Sequence, residues 1–251
     1  MKRGKLMPFN FKKTLIVMEL IFQDMLKTNF VIPLYPTTFR ETIIPVPTPS
    51  GVTDLPPNIY FDLDNRFNAE QEQRIRDAIS ETMLVWATHM NEKWNGGTNN
   101  GISQMAACTN IYATKNLRPA WYSESPIQNG LTATNIAMDQ FTQLIRDNGF
   151  RRSPRAKIFA APLNNNTIVF ALTAFTQNFV PLSFIVDPTL IDIATLNFIT
   201  GSMMHSWLHC AGFFDPNTTS YFNTECSMCV MRGFRPKNPD MPDNLYYQFF
   251  D

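Results

Sequence analysis

His205 and His209 stand four residues apart in the run His205-Ser206-Trp207-Leu208-His209-Cys210-Ala211-Gly212-Phe213-Phe214-Asp215, and that spacing sets what chemistry the chain can offer. At 3.6 residues per turn, side chains at i and i+4 project from one face of a helix. Two imidazoles so placed can grip one divalent ion, zinc above all, without bending the backbone. Gly212 can take a left-handed conformation, end the helix and swing Asp215 back toward the pair. The chain has only three histidines, and this pair uses two of them. Ser206 fills the position after the first histidine; its hydroxyl is neutral near pH 7 and too short to serve as a carboxylate base. The pattern points to a metal-site architecture more clearly than to a working hydrolase.

Plainer roles compete for each of these residues. Two helical histidines also occur as ordinary core or surface residues, and Asp215-Pro216-Asn217 is turn chemistry that competes with ligation. Met203, Met204, Trp207 and Leu208 read as packing residues. His89, near the end of a long helix, reads as a helix-end cation or a surface residue. Cys210, Cys226 and Cys229 cluster around the site, and a bridge from Cys210 to Cys226 or Cys229 would tie the helix end to the following turn. Free thiols and a second soft-metal site are the alternatives.

The elements that must hold this site follow from periodicity. Residues 1–57 carry Pro33, Pro36, Pro45, Pro47, Pro49, Pro56 and Pro57, so they read as a short helix and then an extended, propeptide-like arm. In that arm Lys12 and Lys13 precede an apolar run, as in a signal peptide, but Glu19 interrupts it and Met18, Phe22, Met25 and Leu26 fit one face of an amphipathic helix. A compact domain is expected over residues 58–251. Ile59, Phe61 and Leu63 alternate as in a strand. Asn68 and Gln71 form a capping box before a helix whose buried face carries Ile75, Ile79, Met83, Trp86 and Met90. Asn110–Ala113 reads as a short strand, 132–148 as a second helix, and 158–161 with 167–175 as a hairpin around Asn164-Asn165-Asn166. Val180–Val186 reads as a further strand, and helix signals return from Asp192 to His209.

Composition excludes some functions. Lys+Arg and Asp+Glu both number 21, so no net field draws the chain to nucleic acid or anionic lipid. Arg151-Arg152-Ser153-Pro154-Arg155 is a short basic run suited to a solvated loop. The apolar run near the N-terminus is too short to span a bilayer, so no stable membrane span is expected.

The order His-x-x-x-His-x-x-Gly-x-x-Asp resembles the motif of the metzincin zinc peptidases, HExxHxxGxx followed by His or Asp and then a methionine-containing turn. The form that ends in Asp is similar to that of the snapalysins. The resemblance implies an α+β, zincin-type domain with a twisted mixed sheet, two long helices including the active-site helix, and a small C-terminal subdomain. It implies His205, His209 and Asp215 as zinc ligands, Gly212 as the turning glycine and Met231 as the Met-turn residue, with Met228 second. It also implies that the sheet's edge strand lines a groove for an extended polypeptide, and that the protein is secreted. Ser206 stands at the general-base position, and loss of that base typically costs ~10²–10⁴ in rate. Glu225 is the one nearby carboxylate that the sequence offers as a substitute. Two functional expectations result: a zinc metalloendopeptidase impaired at Ser206, or an inactive pseudoprotease that binds polypeptides.

Overall fold

A computed structural model describes residues 38–94, 101–147, 155–162, 170–171 and 183–241. Within them the chain is α+β, with a mixed sheet of five strands: β1 (Phe39–Pro45), β2 (Asn58–Asp64), β3 (Ala156–Ala160), β4 (Phe170–Ala171) and β5 (Phe184–Val186). Their spatial order is β1-β2-β3-β5-β4. The central pairs β2–β3 and β3–β5 are parallel, while β1 on β2 and β4 on β5 are antiparallel.

Strand β2 explains how its sequence pattern works. Ile59, Phe61 and Leu63 are fully buried, as their alternation predicts. The opposite face is covered too: Asp62 is held by Arg155 and Lys157, and Asp64 by Arg66. Both carboxylates are buried, and a buried charge needs such partners.

Six helices accompany the strands among the described residues: α1 (Ala69–Trp94), α2 (Gln104–Tyr112), α3 (Gly130–Asp147), α4 (Pro188–Ile193), α5 (Leu196–Cys210) and α6 (Phe222–Met231). The capping box forms as expected, with the Gln71 N–H donating to Asn68 Oδ1 at 2.9 Å and the Asn68 N–H to Gln71 Oε1 at 3.0 Å. Ile75, Ile79, Met83, Trp86 and Met90 are all buried on one face of α1. Trp207 of α5 stacks on Phe61 of β2 and Phe141 of α3, with ring centroids 6.3 and 5.2 Å apart. This aromatic cluster fixes α5, the helix that carries both histidines, between sheet and helices.

The structure departs from expectation at several places. The folded unit begins before Asn58, because β1 pairs along its whole length with β2, so part of the expected arm (1–57) belongs to the sheet. Asn110–Ala113 is helical through Tyr112: Ser103 caps α2 by accepting from the Ala106 N–H, and Met105, Ala106 and Ala107 favour helix over strand. The hairpin partner differs, since β5 lies between β3 and β4; Asn164-Asn165-Asn166 fall outside the described residues. His89 is buried, accepts or donates at Ser103 Oγ over 2.7 Å, and is pushed down to about 3 by burial and by the charge of Lys93, so it is no helix-end cation at neutral pH. A further departure is the disulfide, which joins Cys108 of α2 to Cys229 of α6 and leaves Cys210 and Cys226 as thiols. Burial pushes the Cys226 thiol up to about 12, so it stays protonated and unreactive.

The amphipathic segment around Met18–Leu26, the Arg151–Pro154 run and most of the expected strand 167–175 also lie outside the described residues. Arg155 itself is not solvated loop but pairs with Glu41 and Asp62. No helix among the described residues is long and apolar enough to cross a membrane.

The Cys108–Cys229 bridge spans 121 residues and pins α6 to α2. Closing so long a loop restricts the unfolded chain, so replacing both cysteines by alanine is expected to cost about 2–5 kcal/mol. A urea midpoint unchanged from the native, oxidised protein would show that packing alone holds α6.

Candidate metal centre

Helix α5 starts where Thr195 caps it, its side chain accepting from the Phe198 N–H. It ends in a Schellman arrangement. Gly212 has φ +96°, its N–H donates to His209 O at 2.9 Å, and the Phe213 N–H donates to Leu208 O at 3.1 Å. The chain then turns back over the helix, as the sequence predicted for Gly212.

A segment that the sequence did not flag locks this exit. Trp121 Nε1 donates to Ala211 O at 2.7 Å and the Ala120 N–H to Gly212 O at 2.9 Å. A Cβ on Gly212 would lie 2.6 Å from Trp121 Cδ1. Gly212→Ala therefore meets two obstacles, a left-handed backbone costing about 1–2 kcal/mol and a ring that must move. We expect its urea midpoint to fall by at least that equivalent; a midpoint equal to the native one would remove the turn's assigned role.

The turn delivers Asp215 to the two histidines. His205 Nε2 lies 2.8 Å from Asp215 Oδ2, His209 Nε2 lies 3.2 Å from the same oxygen, and the two imidazole Nε2 atoms are 3.2 Å apart. These three side chains form a cluster able to hold a metal ion. His205 is buried, while His209 and Asp215 keep partial access to solvent. Burial by itself raises the Asp215 carboxyl pKa, yet the charges and hydrogen bonds of His205 and His209 outweigh it and hold the group well below the usual carboxylate range.

The tautomer of His209 is set from outside the cluster. Its Nδ1 is 2.9 Å from Phe213 O, which can only accept, so Nδ1 carries the proton and neutral Nε2 presents a lone pair inward. Metal-ligating histidines are generally oriented by such a bond.

Position 206 holds no base. Ser206 is buried, and its Oγ has no hydrogen-bond partner among the described residues. Glu225 does not take its place: it is buried in α6 and paired with Lys237 Nζ at 2.7 Å. Two residues along a helix turn a side chain through roughly 200°, so Glu225 and Asn223 leave α6 on opposite sides.

No family model, curated protein or solved structure matches this chain. The site has to be read from its own geometry.

That geometry changes the part played by Met231. Residues 222–231 are helical, so neither Met231 nor Met228 lies in a turn. Gly201, His205 and His209 share one face of α5, and α6 lies against that face. A Cβ on Gly201 would meet Met231 Cγ at 2.2 Å and Ser227 O at 2.8 Å. Gly201 thus lets the two helices approach closely, with Met231 packed over it and Asn223, at the other end of α6, set beside the histidines.

Asn223 is the residue beside this cluster that the sequence reading missed. It is fully buried, and its Nδ2 lies 3.0 Å from Asp215 Oδ1, 3.1 Å from His209 Nε2 and 3.5 Å from His205 Nε2. Its Oδ1 has no hydrogen-bond partner among the described residues, a state that costs about 1–3 kcal/mol in a buried amide. No motif signal marks it, because its place depends on how α6 crosses α5.

Proposed function

We propose that this is a metzincin-like domain that binds zinc through His205, His209 and Asp215. The observation that carries the reading is the triangle of ligand atoms, with edges of 2.8, 3.2 and 3.2 Å. Zinc bonds of about 2.0–2.2 Å at tetrahedral angles give a ligand–ligand edge of roughly 3.3–3.6 Å. Two imidazoles and one carboxylate suit zinc, and Phe213 O orients one of the imidazoles. The antiparallel strand β4, last in the sheet and beside α5, is where an extended polypeptide would add.

Bound zinc would polarise a carbonyl and acidify a water. The residues of this chain provide poorly for the proton transfer that peptide cleavage also needs. Ser206 offers a buried hydroxyl in place of a carboxylate, and Glu225 is committed to Lys237. Endopeptidase activity is therefore weak. These same two observations favour a second reading, a pseudoprotease that uses the domain to hold a polypeptide. The Cys108–Cys229 bridge is compatible with export to an oxidising compartment.

Metal analysis of the purified chain tests the reading: about one zinc per chain is expected after zinc-replete preparation, and none would remove it. Chelator-sensitive casein cleavage by the native chain would decide against the pseudoprotease.

A further inference from the structure

We propose that Asn223 is a fourth metal ligand, its carboxamide oxygen closing the coordination sphere that His205, His209 and Asp215 begin. The proposal rests on the metal reading above and goes beyond it, since it makes the site a closed one with no position left for a reacting water.

The carboxamide tip already occupies a fourth corner. Its Nδ2 stands 3.1 and 3.5 Å from the two imidazole Nε2 atoms, next to a triangle with edges of 2.8 to 3.2 Å. Four of these five separations lie near the ~3.3–3.6 Å edge of a tetrahedral zinc site, and the fifth, 2.8 Å between His205 and Asp215, is shorter. As the side chains stand, the N–H₂ group donates to Asp215 Oδ1 and to the His209 lone pair. Around a cation the preference inverts: amide hydrogens are repelled, and a carbonyl oxygen is attracted. A half-turn about the Cβ–Cγ bond exchanges the two ends of the amide with almost no change of shape.

The exchange costs little on the far side. Oδ1 makes no hydrogen bond among the described residues, so no partner is abandoned when it turns inward. The backbone around it is held firmly: the Phe222 N–H donates to Lys115 O, Ser227 Oγ donates to Asn223 O, and Cys229 is bridged to Cys108. The amide can flip, while its helix cannot move away. Sites with four protein ligands are structural, whereas catalytic zinc keeps an open position. A closed sphere also accounts for Ser206, because a site with no bound water has no use for a base.

Titration of the full chain with Co²⁺ and Zn²⁺ decides the matter, comparing native protein with Asn223→Ala, Asn223→Asp and His205→Ala. We expect Asn223→Ala to weaken Co²⁺ and Zn²⁺ binding by about 10–100-fold and to shift the cobalt visible bands as water enters the sphere. Asn223→Asp keeps the shape and adds a charge, so it should bind both ions more tightly than native. Native affinity and a native cobalt spectrum in a folded Asn223→Ala protein would overturn the proposal. If Asn223→Ala does not fold, equal affinities for native and Asn223→Asp would do the same. Should the native chain bind neither ion, the metal reading itself fails; loss in His205→Ala alone, with Asn223→Ala unaffected, sinks only the fourth ligand.

Discussion

A Ser206→Glu, Asn223→Ala double variant is expected to cleave casein roughly 10²–10⁴ times faster than Asn223→Ala alone, and chelator should abolish the gain. The two proteins differ only at position 206, so the ratio isolates the contribution of a general base. On an ideal helix residue 206 sits about 100° from His205 and about 60° from His209, close enough for a longer side chain to reach the same ion's water. Ser206 is buried, and shortening Asn223 supplies an open coordination position. Ser206→Glu alone should gain much less, because the native amide holds the fourth corner. If both variants fold and load zinc but hydrolyse at the native rate, this is not a protease scaffold that merely lacks its base.

Replacing His205 by alanine is expected to take bound zinc from about one per chain to none, with a matching loss of zinc-dependent stability. At zinc a hundredfold above its dissociation constant, the native chain should gain about 2.7 kcal/mol, and His205→Ala should gain nothing. Asp215→Asn should behave similarly, since a neutral amide cannot supply the charge that two imidazoles lack. Binding should also weaken in acid, because both Nε2 atoms must be free of protons to ligate. A thermal shift with zinc that survives in His205→Ala would place the ion elsewhere in the molecule.

Much of the fold is legible where one local rule acts alone. The face of α1 follows from apolar spacing and its start from Asn68 and Gln71, whose bonds involve neighbours three residues apart. The exit of α5 follows from Gly212, because few residues other than glycine accept φ +96°. Local rules mislead where a competing preference is weak. Asn110–Ala113 has strand-like composition, but the cap at Ser103 and the run after it extend the helix through Tyr112. The bridge escaped the sequence for a different reason: Cys108 is 121 residues from Cys229, while Cys210 and Cys226 are much closer to it along the chain.

By itself the sequence determined the grouping of His205, His209 and Asp215 into a triad, since these residues and Gly212 lie within a single helix and its exit turn, where spacing alone governs direction. Tertiary structure alone decided what stands opposite that triad. The crossing of α6 over Gly201, fixed by the bridge to α2, brings Asn223 to the histidines, turns Glu225 toward Lys237 and packs Met231 on α5 rather than beneath the site. Such placements depend on contacts between separate helices, and no periodicity within either helix encodes them.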